Sequence, residues 1–391
     1  MGIAVSVVPL CEPCIRRGEW QYIKECLDTN WVSSVGRFVD EFERAVAKYV
    51  GCKHGIATVN GTAALHVALL VAGVEQNDEV LVPSLTFIAP ANAVRYVGAW
   101  PVFIDAGPLY WQMDPEKVAD FLDNRCEWSH GTLRNKKTGR RVRAVMPVHV
   151  LGHPVDMDPV LELARKYELT VIEDATESLG ARYRDRRVGG LGDVACFSFN
   201  GNKLITTGGG GMIVTDNDEW AYRARYLTTQ ARDDPVEYVH HEIGYNYRMT
   251  NIHAAMGCAQ MEVVDEYVAA KRRIADTYAV ELASVPGISS MQEAAWARST
   301  YWLYSTLVDE TRYGMDSRSL MRQLAERGIQ TRPLWQPLHQ SPAHAGCQHC
   351  GGEVAERIWR DALSIPCSVD LSDDDQQFVI ETIKSLGSNG R

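Results

Sequence analysis

The sequence predicts an α/β fold: a large domain built on a mostly parallel sheet, followed by a smaller α+β C-terminal domain. Three observations predict it. Between Gly55 and Thr215, short Val- and Ile-rich runs alternate with helical runs, the pattern of strand–helix–strand units whose sheet is covered on both faces. From 251 to 282 one helical pattern continues with no proline, and no glycine after Gly257; a helix that long commonly bridges two lobes. The 391 residues are enough for two domains. They are placed at 15–265 and 266–391, with residues 1–14 packing nearby.

Each element has its own signal. Residues 19–27 and 38–49 read as amphipathic helices, the second stopped by Gly51. The loop 30–36 between them carries Trp31 and two serines. A strand at 54–59 leads through Asn60-Gly61-Thr62, a helix cap, into a helix at 63–72. Strands at 79–83 and 100–104 alternate with helices at 89–96 and 115–122, the latter opened by Asp114. A polar insertion, 127–141, reads as an exposed loop or hairpin. Strands follow at 142–148, 170–173, 194–199 and 212–215, with a helix at 159–167. Beyond the long helix come a strand at 301–308, a helix at 317–327, an extended segment at 332–337, and helices at 353–362 and 373–386. In such a sheet ligands sit at the carboxyl ends of the strands. Asn60, Ser84, Asp105, His149, Asp174 and Ser198 all fall there.

Composition narrows the function. A net charge of −10 argues against a nucleic-acid or anionic-membrane partner held by bulk electrostatics. No apolar run reaches the length of a membrane span, and the first residues show no secretory signal, so a cytoplasmic location is expected. The ten cysteines are expected to be reduced thiols. Cys11/Cys14 and Cys347/Cys350 have metal-like spacing, the second near His339, His344 and His349. The pairs lie at opposite ends of the chain rather than in one compact module, and no metal is expected.

The chemistry concentrates where the strand at 194–199 ends. Lys203 stands between an apolar strand and the glycine run 208–211. A solvated lysine beside a turn is one reading; an amine that forms a Schiff base with a carbonyl cofactor is the other. Asn60-Gly61-Thr62-Ala63-Ala64 opens a helix, either as a plain cap or as a phosphate site made of backbone N–H groups. Asp174 is a cap or a carboxylate pairing with a protonated heteroaromatic nitrogen. Phe87 is core or a ring that stacks on that heterocycle. A phosphate site, an acid and a strand-end lysine, in that order, resemble the arrangement of pyridoxal phosphate enzymes.

With Gly201-Asn202-Lys203, Glu173-Asp174-Ala175 and Gly244-Tyr245-Asn246-Tyr247-Arg248-Met249-Thr250-Asn251, the chain resembles the DegT/StrS-type sugar aminotransferases from Pro9 to about Pro366. The resemblance implies the aspartate-aminotransferase type I fold, pyridoxal 5'-phosphate as cofactor, L-glutamate as amino donor and a nucleotide-sugar acceptor. It makes Lys203 the aldimine-forming catalytic residue, where sugar-dehydrating members have histidine. It implies cofactor contacts from Gly61, Thr62, Phe87, Asp174, Glu177, Ser198 and Asn246. It places Trp31, Asn200, Arg248, Arg332 and His339 around the nucleotide sugar. Asn246 and Arg248 would reach into a neighbouring subunit, which makes a homodimer the minimum unit. Gly209 departs from the family's usual glutamate. Pro9-Leu10-Cys11-Glu12-Pro13, Trp31 to Gly36, Leu85 to Asn92 and Arg332-Pro333-Leu334-Trp335 are similar to the branch that aminates UDP-4-keto-6-deoxy-N-acetylglucosamine. Amination of GDP-4-keto-6-deoxymannose is the alternative, and a non-catalytic, cofactor-bound regulatory protein a rival from another class.

Overall fold

The computed structural model describes residues 7–15, 18–234 and 236–388. Its main sheet has eight strands, in the order His54–Thr58, Gly211–Thr215, Val194–Ser198, Thr170–Asp174, Val142–Val145, Glu79–Pro83, Trp100–Ile104 and His349–Cys350. Of the seven neighbouring pairs, the two made by Gly211–Thr215 are antiparallel and the other five parallel.

Period-two alternation explains why both faces are dry. Val194 and Cys196 pack with Ile56, Leu65, Ile172 and Ile213. Ala195 and Phe197 pack on the other face with Phe42, Val171 and Met212. There Phe42 meets Phe199 edge-on at 4.8 Å, a favoured geometry for two rings.

A second, antiparallel sheet of four strands, in the order Ile288–Ser290, Tyr304–Val308, Ala362–Ile365 and Arg332–Pro333, has its own apolar core around Tyr278, Ile358 and Ile380. Residues 8–12 lie beside it, with Val8 bridging to Ile329, while Cys14 packs in the core of the main sheet.

Two expectations need correction. The pattern at 251–282 is two helices, Asn251–Met261 and Val264–Leu282. The break needs neither proline nor glycine: Val263 leaves helical geometry at φ −120°, ψ 7°, and its N–H turns back to Gln260. The first helix packs on Glu19–Asp28 and Arg37–Val50; the second runs into the core of the antiparallel sheet. The segment 127–141, expected as an exposed loop or hairpin, is a hairpin, Cys126–Ser129 with Thr132–Asn135. The strand expected at 301–308 starts only at Tyr304, because Tyr301 takes a left-handed turn at φ 49°.

Candidate active site

The central strand Thr170–Asp174 sends its last two side chains to opposite faces. Glu173 is a structural hub. Its carboxylate accepts N–H groups of Gly189, Leu191 and Gly192 at 2.6–2.9 Å and Nε2–H of His149 at 3.1 Å. That tautomer is fixed because His149 Nδ1 accepts the N–H of Val155 at 3.0 Å. Burial opposes its ionisation, but the His149 contact and the backbone N–H groups outweigh it, and Glu173 lies below the usual carboxylate range.

Asp174 is buried, and its Oδ1 accepts the N–H of Thr176 at 3.0 Å. Burial pushes its pKa up, against the Thr176 hydrogen bonds and the charge of Lys203. A carboxylate in that state gains most from a cation placed beside it.

Lys203 follows a turn closed by its own N–H on the carbonyl of Asn200. Its Nζ lies 3.8 Å from Glu177 Oε1 and 3.7 Å from the centroid of the Trp302 ring. Trp302 is itself fixed, its indole N–H donating to the Asn202 carbonyl at 2.7 Å. Burial lowers the Lys203 pKa, while Glu177, Asp174 and Cys11 resist. Glu177 accepts the N–H of Leu151 at 2.8 Å, and burial, opposed by Lys203 and that N–H, raises it to about 7.

The helix Gly61–Val71 points its N-terminus at the same space. Asn60 Oδ1 caps it by accepting the N–H of Ala63 at 2.8 Å, so the N–H groups of Gly61 and Thr62 remain for a ligand. A Cβ on Gly61 would stand 2.9 Å from Ser198 Cβ and 3.2 Å from Thr176 Cγ2. Only glycine leaves this cradle open.

Lys203, Glu177, Ser198, Gly61 and Thr62 line one cavity of about 360 Å³, with Phe87 and Trp335 among its other walls. A roomier groove of about 670 Å³, lined by Arg125, Lys136 and His349 among others, does not include any of them.

The model of the DegT/DnrJ/EryC1/StrS aminotransferase family matches residues 13–384. The chain belongs to this family. It is 41% identical over 382 residues to the GDP-perosamine synthase of Caulobacter vibrioides, across 97% of this chain and 98% of that one. It is 37% identical to the GDP-perosamine synthase of Escherichia coli O157:H7, across 98% and 100%. Among solved structures, it resembles S. venezuelae DesV in complex with a ketimine intermediate (TM-score 0.83, 31% identity, 94% of each chain). It also resembles the aminotransferase TlmJ from Streptoalloteichus hindustanus (TM-score 0.88, 26% identity, 98% and 99%). The fold is the type I fold of these transferases, and the family member is a pyridoxal-phosphate-dependent sugar aminotransferase.

The cavity fits that cofactor. It offers an open helix N-terminus with a hydroxyl from Ser198 and an amine of lowered pKa in Lys203; the Asp174 carboxylate is buried and lies outside the lining, two residues before the wall residue Thr176. These are an anion cradle, a nucleophile and a partner for a cationic ring.

Of the remaining residues expected around the site, Asn200 lines the cavity. Five residues are placed outside its lining. Arg248 is tied to Glu43 at 2.6 Å and to the Ala57 carbonyl at 3.3 Å within its own chain. Asn246 bridges to Thr229. Trp31 is exposed, with its carbonyl held by Asn251 at 2.7 Å. Arg332 pairs with Ser364 in the antiparallel sheet. His339 is clasped by Ser84 Oγ at 2.5 Å and Glu356 at 2.9 Å.

Cys347 and Cys350 diverge, Cys347 packing beside Ile88 and Phe103 and Cys350 donating to Asp120 at 3.3 Å. Among the described residues no cluster of three metal-ligating side chains occurs.

Sequence reasoning missed Thr176, Asn202, Trp302 and Trp335 as cavity walls. Thr176 lies in the run 173–178 already singled out around Asp174. Trp302 had no such signal, because it looked like part of a strand.

Proposed function

We propose that the protein transfers an amino group from L-glutamate to C4 of GDP-4-keto-6-deoxymannose. The observation that carries this reading is the 41% identity, across nearly the whole of both chains, to a GDP-perosamine synthase. Two further relatives of that name, at 37% and 34%, support it. The UDP-linked acceptor favoured by the sequence motifs has no comparable support.

Pyridoxal phosphate, when bound, supplies the aldehyde that carries the amino group and the ring that stores electrons. The chain's own groups do the rest. The N–H groups of Gly61 and Thr62 and the Ser198 hydroxyl hold the phosphate. Asp174 holds a protonated ring nitrogen. Lys203, in a site that favours its neutral form, would take up the donor α-carbon proton at Nζ and give it back from the same atom. Glu177, titrating near 7, sits 3.8 Å from that Nζ and steadies its charged form. Trp302 packs its ring 3.7 Å from the amine and covers one side of it.

The test compares kcat/KM for GDP-4-keto-6-deoxymannose and UDP-4-keto-6-deoxy-N-acetylglucosamine, with L-glutamate and the product followed by mass spectrometry. The GDP sugar is expected to win by about 100-fold or more, as for a site whose polar groups match one substrate. The reverse ratio would return the protein to the UDP-linked branch.

A further inference from the structure

The spacing of Cys11 and Cys14 suggested a pair, but the fold separates them. Cys14 is buried, and its carbonyl accepts from Gln260 at 3.0 Å and Tyr267 at 3.1 Å. Cys11 belongs to a strap, residues 8–12, laid along the second sheet. Val8 bridges to Ile329, the Leu10 carbonyl accepts the N–H of Cys367 at 2.8 Å, and Glu12 N–H donates to Ser368 Oγ at 2.9 Å. The strap thereby brings the Cys11 thiol and the Cys367 thiol against one and the same ammonium, that of Lys271.

Lys271 joins the two sulfurs. Its Nζ lies 3.4 Å from Cys11 Sγ and 3.7 Å from Cys367 Sγ, and donates to the Trp302 carbonyl at 2.9 Å. Lys271 is only 2% exposed. A buried ammonium needs an anion beside it, and a Cys11 thiolate supplies one. Contact with Cys367 and the Lys271 charge draw Cys11 down against burial, while Cys367, fully enclosed, is pushed up. Exposure divides the roles the same way: Cys11 is half-buried and Cys367 buried. The thiolate faces outward and a neutral thiol stands behind it, the arrangement of an attacking and a resolving cysteine.

We propose that Cys11 and Cys367 form a hydroperoxide-reactive thiol pair that closes to a disulfide between the N-terminal strap and the second sheet. The Cys11 sulfur attacks one peroxide oxygen; an S–O bond forms, the O–O bond breaks, and the departing hydroxide takes a proton to become water. The Cys367 sulfur then attacks the Cys11 sulfur. The S–S bond forms, the S–O bond breaks, and hydroxide leaves with the Cys367 proton as a second water. One peroxide is reduced and two sulfurs are oxidised. Closure removes the anion facing Lys271 and Lys203. Cys11 Sγ also lies 3.6 Å from the Asn202 carbonyl, so the event occurs one residue from Lys203.

The reduced holoenzyme, treated with one equivalent of hydrogen peroxide, tests this without relying on any variant. The ten thiols of the chain, counted after denaturation, are expected to fall by two and to return with dithiothreitol. A non-reducing tryptic digest should link peptide 1–16 to peptide 361–384, with fragmentation placing the bond at Cys11. Cys14→Ser should keep the link and Cys11→Ser abolish it. An unchanged thiol count, a bond at Cys14, or over-oxidised Cys11 with no link would each overturn the proposal.

Discussion

Enclosing the Lys203 amine beneath Trp302 strips it of water, and that loss disfavours the ammonium. Glu177 acts in the opposite direction, and it is itself perturbed, because burial raises it from an ordinary value near 4.5 to about 7. The sign of the stability effect follows. Between those values the folded chain keeps a proton on Glu177 that the unfolded chain has released, so stability falls as pH rises through the window. Glu177→Gln removes the titration and keeps the side chain's shape and its acceptor for the Leu151 N–H. We expect the stability of the apoprotein, wild type minus variant in urea, to fall by about 1–3 kcal/mol as pH climbs from about 4.5 to about 7. A difference that stays flat across the window would mean that Glu177 ionises like an exposed carboxylate.

Asn251 shows how one side chain can shape a whole element. The helix Arg37–Val50 begins at Gly36, which has no side chain to cap it. The cap comes from far along the chain: Asn251 Oδ1 accepts the N–H of Phe38 at 3.1 Å, and its Nδ2 donates to the Trp31 carbonyl at 2.7 Å. Asn251→Ala should destabilise the protein by about 1–3 kcal/mol, since it strands a buried donor and an acceptor. Asn251→Asp, which keeps the acceptor for Phe38, should recover part of that in the same urea titration. A loss within about 0.5 kcal/mol would show that water replaces both bonds. This cap marks the boundary of what local sequence reveals. The strand ends bearing Asp174, Ser198 and Asn60 were legible because local caps and apolar runs place them. Gly211–Thr215 did not reveal its antiparallel pairing, since a short buried strand has the same composition either way. The two-residue edge strand His349–Cys350 is too short to carry any period. The helix break at Val263 lacks both proline and glycine, and the walls Trp302 and Trp335 reach Lys203 through tertiary packing alone.

At the scale of the whole molecule, the unsatisfied surface lies beside the run that the family resemblance assigns to a partner. Leu27, Trp31, Val32 and Val35 expose large apolar surface within a few residues. Asn251 ties their loop to the end of the segment 244–251 through its N–H on the Ser33 carbonyl. Ile243, at the start of that segment, is 84% exposed. Clustered apolar side chains of this size commonly mark an interface, and the same surface on two copies suits a two-fold dimer. We expect the protein to sediment at twice its chain mass at micromolar concentration, and Ile243→Asp with Val35→Asp to shift it toward the monomer. Their circular dichroism should stay native, because both side chains lie on the surface. If Asn246 completes a neighbouring site, the separated chains should keep Lys203 able to bind pyridoxal phosphate, seen by absorbance, while turnover drops at least tenfold. A wild-type protein that sediments as a monomer and still turns over would place the whole active site within one chain.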